Sequence, residues 1–194
     1  MKLFVILLCL LIAACASSPP RNPGNICEIF RENRNWYDAA IATREKWGVP
    51  VHIPMAIMKQ ESSFRHDAAP PMQYFLWIIP IGRASDAYGY PQAKESTWDE
   101  YIGETGNGFA DREDFSDAID FIGWYIHKTG RINKVSKWDA YNQYLNYHEG
   151  RGGYRRKSYQ KKTWLLKVAR KVERQAKKYS EQYWGCKKEL AEGE

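Results

Sequence analysis

From Ile26 to Tyr183, apolar side chains return at steps of three and four residues in one segment after another, and that period commits a chain to helices. Ile26, Ile29, Phe30, Trp36, Ala40, Ile41 and Trp47 predict a first helix that Gly48 stops. A second starts near Pro54, a residue suited to a first turn, and carries Met55, Ile57 and Met58 up to Glu61. A third is predicted from about Gln92 to Tyr101. A fourth runs from Phe115 to Lys128, with Phe115, Ala118, Ile119, Ile122 and Ile126 on one face ahead of Gly130. Ser136 with Asp139 three residues on reads as a capping box for a fifth helix ending at Gly150. The last, roughly Lys157 to Tyr183, sets Trp164, Leu165, Val168 and Val172 against a cationic face. No internal repeat is present. The fold class is therefore mainly α, and 194 residues with 44% hydrophobic side chains suit one core and one domain.

One stretch departs from this rhythm. Between Asp67 and Pro91 prolines and glycines rule out a long helix and predict a loop or a small hairpin. Its run "MQYFLWIIPI" (Met72 to Ile81) is apolar beyond what a connection needs. It suits a lid over a cleft, a membrane-facing or partner-binding patch, or core filling. The eight Trp and thirteen Tyr leave a similar choice between filling a core and stacking on sugar-like ligands.

The N-terminus reads as an export signal. Lys2 precedes the apolar run Leu3 to Ala13, far short of the roughly 20 residues that span a bilayer. "IAAC" (Ile12 to Cys15) resembles a bacterial lipobox, whose cysteine becomes the lipidated N-terminus, while "ACA" (Ala14 to Ala16) also satisfies ordinary small-x-small cleavage. The lipoprotein reading is preferred because a cysteine stands where the lipobox requires it and the tether-like "SSPPRNPG" follows. The expected divisions are a signal over residues 1–14, a lipid-anchored tether over 15–25 and a folded domain over 26–188. With Cys9 removed and Cys15 lipidated, Cys27 and Cys186 remain in an oxidising compartment and predict a disulfide; the alternative is two buried thiols. No His/Cys cluster suggests a metal, and no cofactor is expected.

Charge narrows the partners. The formal charge of +6 falls to +5 without Lys2, and residues 151–178 hold twelve Lys or Arg against one acid, Glu173. Such a face suits an acidic polymer or anionic headgroups. Nucleic acid fits the charge equally, but export and the lack of a recognition motif argue against it.

Glu61 in "MKQESSF" is, taken alone, a helix-end surface charge. Its setting is more specific. "IPMAIMKQESSF", "AYGYPQAKESTW" and "NYHEGRGGY", in this order, resemble the lytic transglycosylases of the soluble (SLT) type over about residues 36 to 175. Family patterns read ES, then GLMQ, then AYNAG; Glu61 and Ser62 fall on the first, Gly89 and Gln92 on the second, and Asn146, Tyr147, His148, Glu149 and Gly150 on the third. The resemblance implies a lysozyme-like (SLT/goose-type) helical domain with the loop or hairpin as an insertion.

It also implies cleavage of the peptidoglycan glycan strand between N-acetylmuramic acid and N-acetylglucosamine, with Glu61 as acid and then base and a 1,6-anhydro end as product. Ser62 would hydrogen-bond near the acid or substrate, Gln92 would line the cleft and contact an acetamido group, Tyr147 would lie close to the carboxyl, and Gly89, His148 and Glu149 would join them in binding substrate. Trp164 is the best match to a tyrosine the family often has on the final helix. Tyr90 and Pro91 replace the Leu-Met of the second motif, and His148 and Glu149 replace the Asn-Ala of the third. Glu149, and more weakly Asp67 and Asp86, could raise the Glu61 pKa or position a water and so make a muramidase. A non-catalytic glycan-binding lipoprotein is the other alternative. The implied location is the periplasm, with the lipid in the outer membrane because Ala16 is not a retaining aspartate; protein partners stay unassigned.

Overall fold

The computed structural model describes residues 18–193. The expected signal segment 1–14 and the lipidation site Cys15 lie outside the described residues. Among the latter are seven helices: α1 (Ile26–Glu32), α2 (Arg34–Trp47), α3 (His52–Ser62), α4 (Glu95–Thr105), α5 (Phe115–Asn133), α6 (Ala140–Arg155) and α7 (Thr163–Glu192). One antiparallel hairpin, β1 (Met72–Phe75) with β2 (Ile79–Arg83), interrupts them, so the mainly helical class holds and the insertion is a hairpin.

Helix α3 is the centre of the molecule. Ile53, Met55, Ala56, Ile57 and Met58 are all buried, so the helix is apolar nearly all round and packs against both α5 and α7. Trp36 lies flat on Phe115 with centroids 4.0 Å apart, and Phe64 and Tyr90 close around it at 5.8 and 5.6 Å. A second group joins Tyr101, Phe121, Trp124 and Tyr125. Many of the aromatic rings thus fill the core, each contributing about 1.5–3 kcal/mol by burial.

Several helix boundaries depart from the periodic reading, each for a local reason. The first predicted helix is two, because Asn33 leaves helical geometry at φ −131°, ψ 81° and turns its side-chain amide to Ile29 O. The third starts at Glu95, where Asp86 Oδ2 accepts from the Glu95 N–H. Gly130 does not stop α5: Asn133 holds the extra turn by donating to Asn146 Oδ1 at 2.6 Å and Arg151 O at 3.0 Å, offsetting the ~1 kcal/mol a helical glycine costs. The cap of α6 is Asp139, which accepts from Asn142 N, while Ser136 accepts from Trp138 N instead. The last helix begins at Thr163, after a 3-10 turn (Ser158–Lys161), and runs on to Glu192.

That extension brings the termini together. Cys186 on α7 is bonded to Cys27 on α1, 159 residues apart, and Glu189 takes a bidentate grip on Arg31. Pro23 and Gly24 of the expected tether lie against α7: Tyr179 Oη donates to Pro23 O and Gln182 Nε2 to Gly24 O.

Candidate active site

Glu61 stands in the last turn of α3, and the chain stops helically just beyond it in an unusual way. Ser63 and Phe64 take φ values of 53° and 61°, two consecutive left-handed residues neither of which is glycine, at about 1–3 kcal/mol each. What holds them is burial of the Phe64 ring against Trp36, and Ser62, whose Oγ accepts from Phe64 N at 3.1 Å and donates to Met58 O at 3.2 Å. Ser62 is buried and faces this turn; it does not line the cleft that Glu61 lines.

The cleft is a cavity of about 430 Å³, walled by Phe121 and Tyr125 from α5, Tyr147, His148 and Glu149 from α6, and Gln92 from the loop before α4. Glu61 Oε1 is out of reach of water and has no hydrogen-bond partner. Burial pushes the carboxyl up to about 7, and a hydrogen bond from Tyr144 offsets part of that rise. Burial also raises the Tyr144 and Tyr147 phenols, and the charge of Glu61 raises both further. Both phenols therefore stay protonated donors beside the acid.

Gly89 and Gln92 act through the backbone of the opposite wall. Gly89 has φ 73°, and a Cβ there would fall 2.2 Å from Arg112 O. Its N–H donates to Ala68 O at 2.8 Å, and Gln92 Nε2 clamps the same carbonyl at 2.6 Å and Gly89 O at 3.0 Å. Tyr147 Oη reaches across to Pro91 O at 2.6 Å, tying α6 to this loop. The departing residues Tyr90 and Pro91 are both buried, Tyr90 wholly in the core beside Trp36 and Phe115.

Glu149 lines the cleft, but its oxygens are engaged. Lys162 Nζ donates to Oε1 at 2.7 Å, His148 Nδ1 lies 3.1 Å from the same atom, and Ser158 Oγ donates to Oε2. Burial alone would raise this carboxyl; the hydrogen bonds of Lys162, Ser158 and His148, with the Lys162 charge, outweigh it and bring the group down to about 2. Gly150 follows at φ 71°, ψ 157°, a conformation open to glycine, and the helix resumes after this kink. Trp164 is half exposed and stands edge-on to His148 at 5.1 Å, outside the cleft lining. Asp67 and Asp86 are exposed and not in its walls.

Two contributors escaped the sequence reading. Tyr144 bonds the acid; its signal was the three-residue step to Tyr147, which sets both on one helix face. Lys162, partner of Glu149, sits in a run of cations with no mark to distinguish it. Chemically, the cleft offers one carboxyl that can hold and release a proton near neutral pH, beside a second held firmly as an anion.

Among families of known proteins, the model of the family described as transglycosylase SLT domain matches residues 3–186. Neither the curated proteins nor the solved structures include a match to this chain.

Proposed function

Because the chain belongs to the transglycosylase SLT domain family, we propose that it is a lytic transglycosylase that cleaves the N-acetylmuramic acid to N-acetylglucosamine bond of peptidoglycan and leaves a 1,6-anhydromuramoyl end. The observation that carries this reading is Glu61 in the cleft wall, with a buried, unpartnered Oε1 and a carboxyl raised to about 7. Protonated Glu61 gives its proton to the bridging oxygen as that bond to the muramic anomeric carbon breaks. Positive charge develops at the carbon, and the new carboxylate takes the proton of the same sugar's 6-hydroxyl as its oxygen closes the anhydro ring. Proton and electron pairs balance with no water and no second carboxylate. Tyr144, as a hydrogen-bond donor, steadies the carboxylate between the two transfers.

Glu149 is the group a hydrolytic reading would need as base. Held by Lys162, Ser158 and His148 with a pKa of about 2, it is a weak proton acceptor, which favours the anhydro product over hydrolysis. The altered motif residues Tyr90 and Pro91 serve packing and the bond to Tyr147, so they give no ground for a lost activity. In this reading Gln92 lines the cleft toward an acetamido group, Ser62 and Gly89 position the walls, Tyr147 braces them, and His148 with Trp164 forms the rim. Digesting purified sacculi and weighing the products tests the proposal: anhydro ends support it, whereas reducing ends mean a muramidase and no products a binding protein.

The location is part of the same proposal. Cys15 carries the lipid and the domain faces the periplasm from the outer membrane. Intact-mass measurement of the mature protein checks this, with a chain beginning at Ser17 and lacking acyl mass as the contrary result.

A further inference from the structure

The catalytic proposal makes no use of the hairpin. Exposure rises along it from Met72, 40%, to Ile78, 79%, and Trp77, 94%, at its tip, and Tyr74, Phe75, Leu76, Ile79 and Ile81 are exposed as well. Successive side chains of a strand point to opposite faces, so Tyr74 and Phe75 leave both faces apolar and uncovered. The tip is built against local preference: Leu76 and Trp77 take φ 50° and 67°, closed by Ile78 N donating to Phe75 O, where Asn-Gly is the ordinary choice. A structural turn would not need large apolar side chains at those two positions.

We propose that the tip of the β1–β2 hairpin inserts into the interfacial layer of a phospholipid bilayer. A protein groove would cover one face of the ribbon, whereas an interface surrounds both. The Trp and Tyr at and behind the tip are the residues that favour the headgroup boundary. Among the described residues no further strand joins β1 and β2, so the outer edges of the hairpin present unpaired backbone groups; the hydrocarbon core excludes these and the headgroup layer accepts them, which limits entry to the tip.

Charge agrees. At Gly24 a Cβ would lie 3.8 Å from Lys178 Nζ and 3.9 Å from Lys59 Nζ, and Lys59 belongs to α3, whose C-terminal end leads into the hairpin segment. Burial first, and then the charges of Lys178 and Lys171, lower the proton affinity of Lys59, and anionic headgroups would relieve the part that comes from its cationic neighbours. The hairpin's base continues into Ser85 and Ala87 of the cleft wall. An inserted tip would therefore hold the cleft at a set height, about 13–17 Å for strands of 4 and 5 residues.

The test uses the full chain on phosphatidylcholine–phosphatidylglycerol vesicles whose acyl chains carry bromine, which quenches tryptophan on contact. The lipid-quenchable fluorescence should fall in Trp77→Phe and stay at the parent value in Trp138→Phe and Trp184→Phe, the other strongly exposed tryptophans, both 69% exposed. A quenchable fraction unchanged by Trp77→Phe overturns the proposal. So does a tip covered otherwise: by a second copy, seen as sedimentation that changes when Leu76, Trp77 and Ile78 all become Ser, or by glycan, seen as soluble strands shielding Trp77. None of these outcomes bears on the catalytic reading, since the substitutions lie outside the cleft.

Discussion

Glu61 keeps its proton through desolvation, with no ionised neighbour forcing it, and this has consequences for both rate and stability. Its folded pKa, about 7, lies above the 4.5 of a free glutamate, so the native state binds the proton more tightly. Ionisation of this buried carboxyl therefore costs almost nothing below about pH 4.5; the cost builds as pH rises from there to 7 and levels off above it at about 3 kcal/mol. Glu61→Gln, free of that cost, should match the parent's stability near pH 4 and exceed it at pH 8, which urea denaturation at the two pH values will read. Tyr144→Phe removes the bond that lowers the Glu61 pKa, so the alkaline limb of the pH–rate profile should move upward. An unmoved limb would detach Tyr144 from the acid. At this scale the sequence marked Glu61 and Tyr147 through motif order, but Ser62 looked like a substrate contact when its hydroxyl holds the strained turn at Phe64. Nothing short of backbone geometry distinguishes those two uses of a serine.

Among the elements, the cleft wall depends on a backbone approach that only glycine permits. Gly89→Ala should cost at least about 2 kcal/mol, because its Cβ would strike Arg112 O and its φ is left-handed; thermal unfolding measures this, and a parental melting temperature would contradict it. Apolar periodicity placed the helical segments, since each buries a face whose spacing is written in the residue order. The ends were less legible because distant partners decide them: Asn133 prolongs α5 through Asn146 and Arg151, and α7 outruns Tyr183 to meet α1 through Cys186 and Glu189. The hairpin was open between loop and strand because both its faces are apolar, so the period-two alternation that marks a half-buried strand is absent.

For the whole molecule, the Cys27–Cys186 bond closes a loop of nearly the entire folded chain, worth about 5 kcal/mol in the chain-entropy model. Thiol labelling of the denatured, unreduced protein should find neither cysteine free, and replacing both by serine should lower the denaturant midpoint while leaving the cleft, whose residues lie on other elements, able to turn over. Cysteine arithmetic made this bond legible, whereas the mutual placement of Glu61, Tyr144 and the Lys162–Glu149 pair required three elements to converge and had no linear signal. If Glu61 carries the proton in both transfers, Glu61→Gln must lose muropeptide release from sacculi. Loss by about 10³-fold or more, with fold and glycan binding kept, is the predicted result; release as fast as the parent's would contradict it.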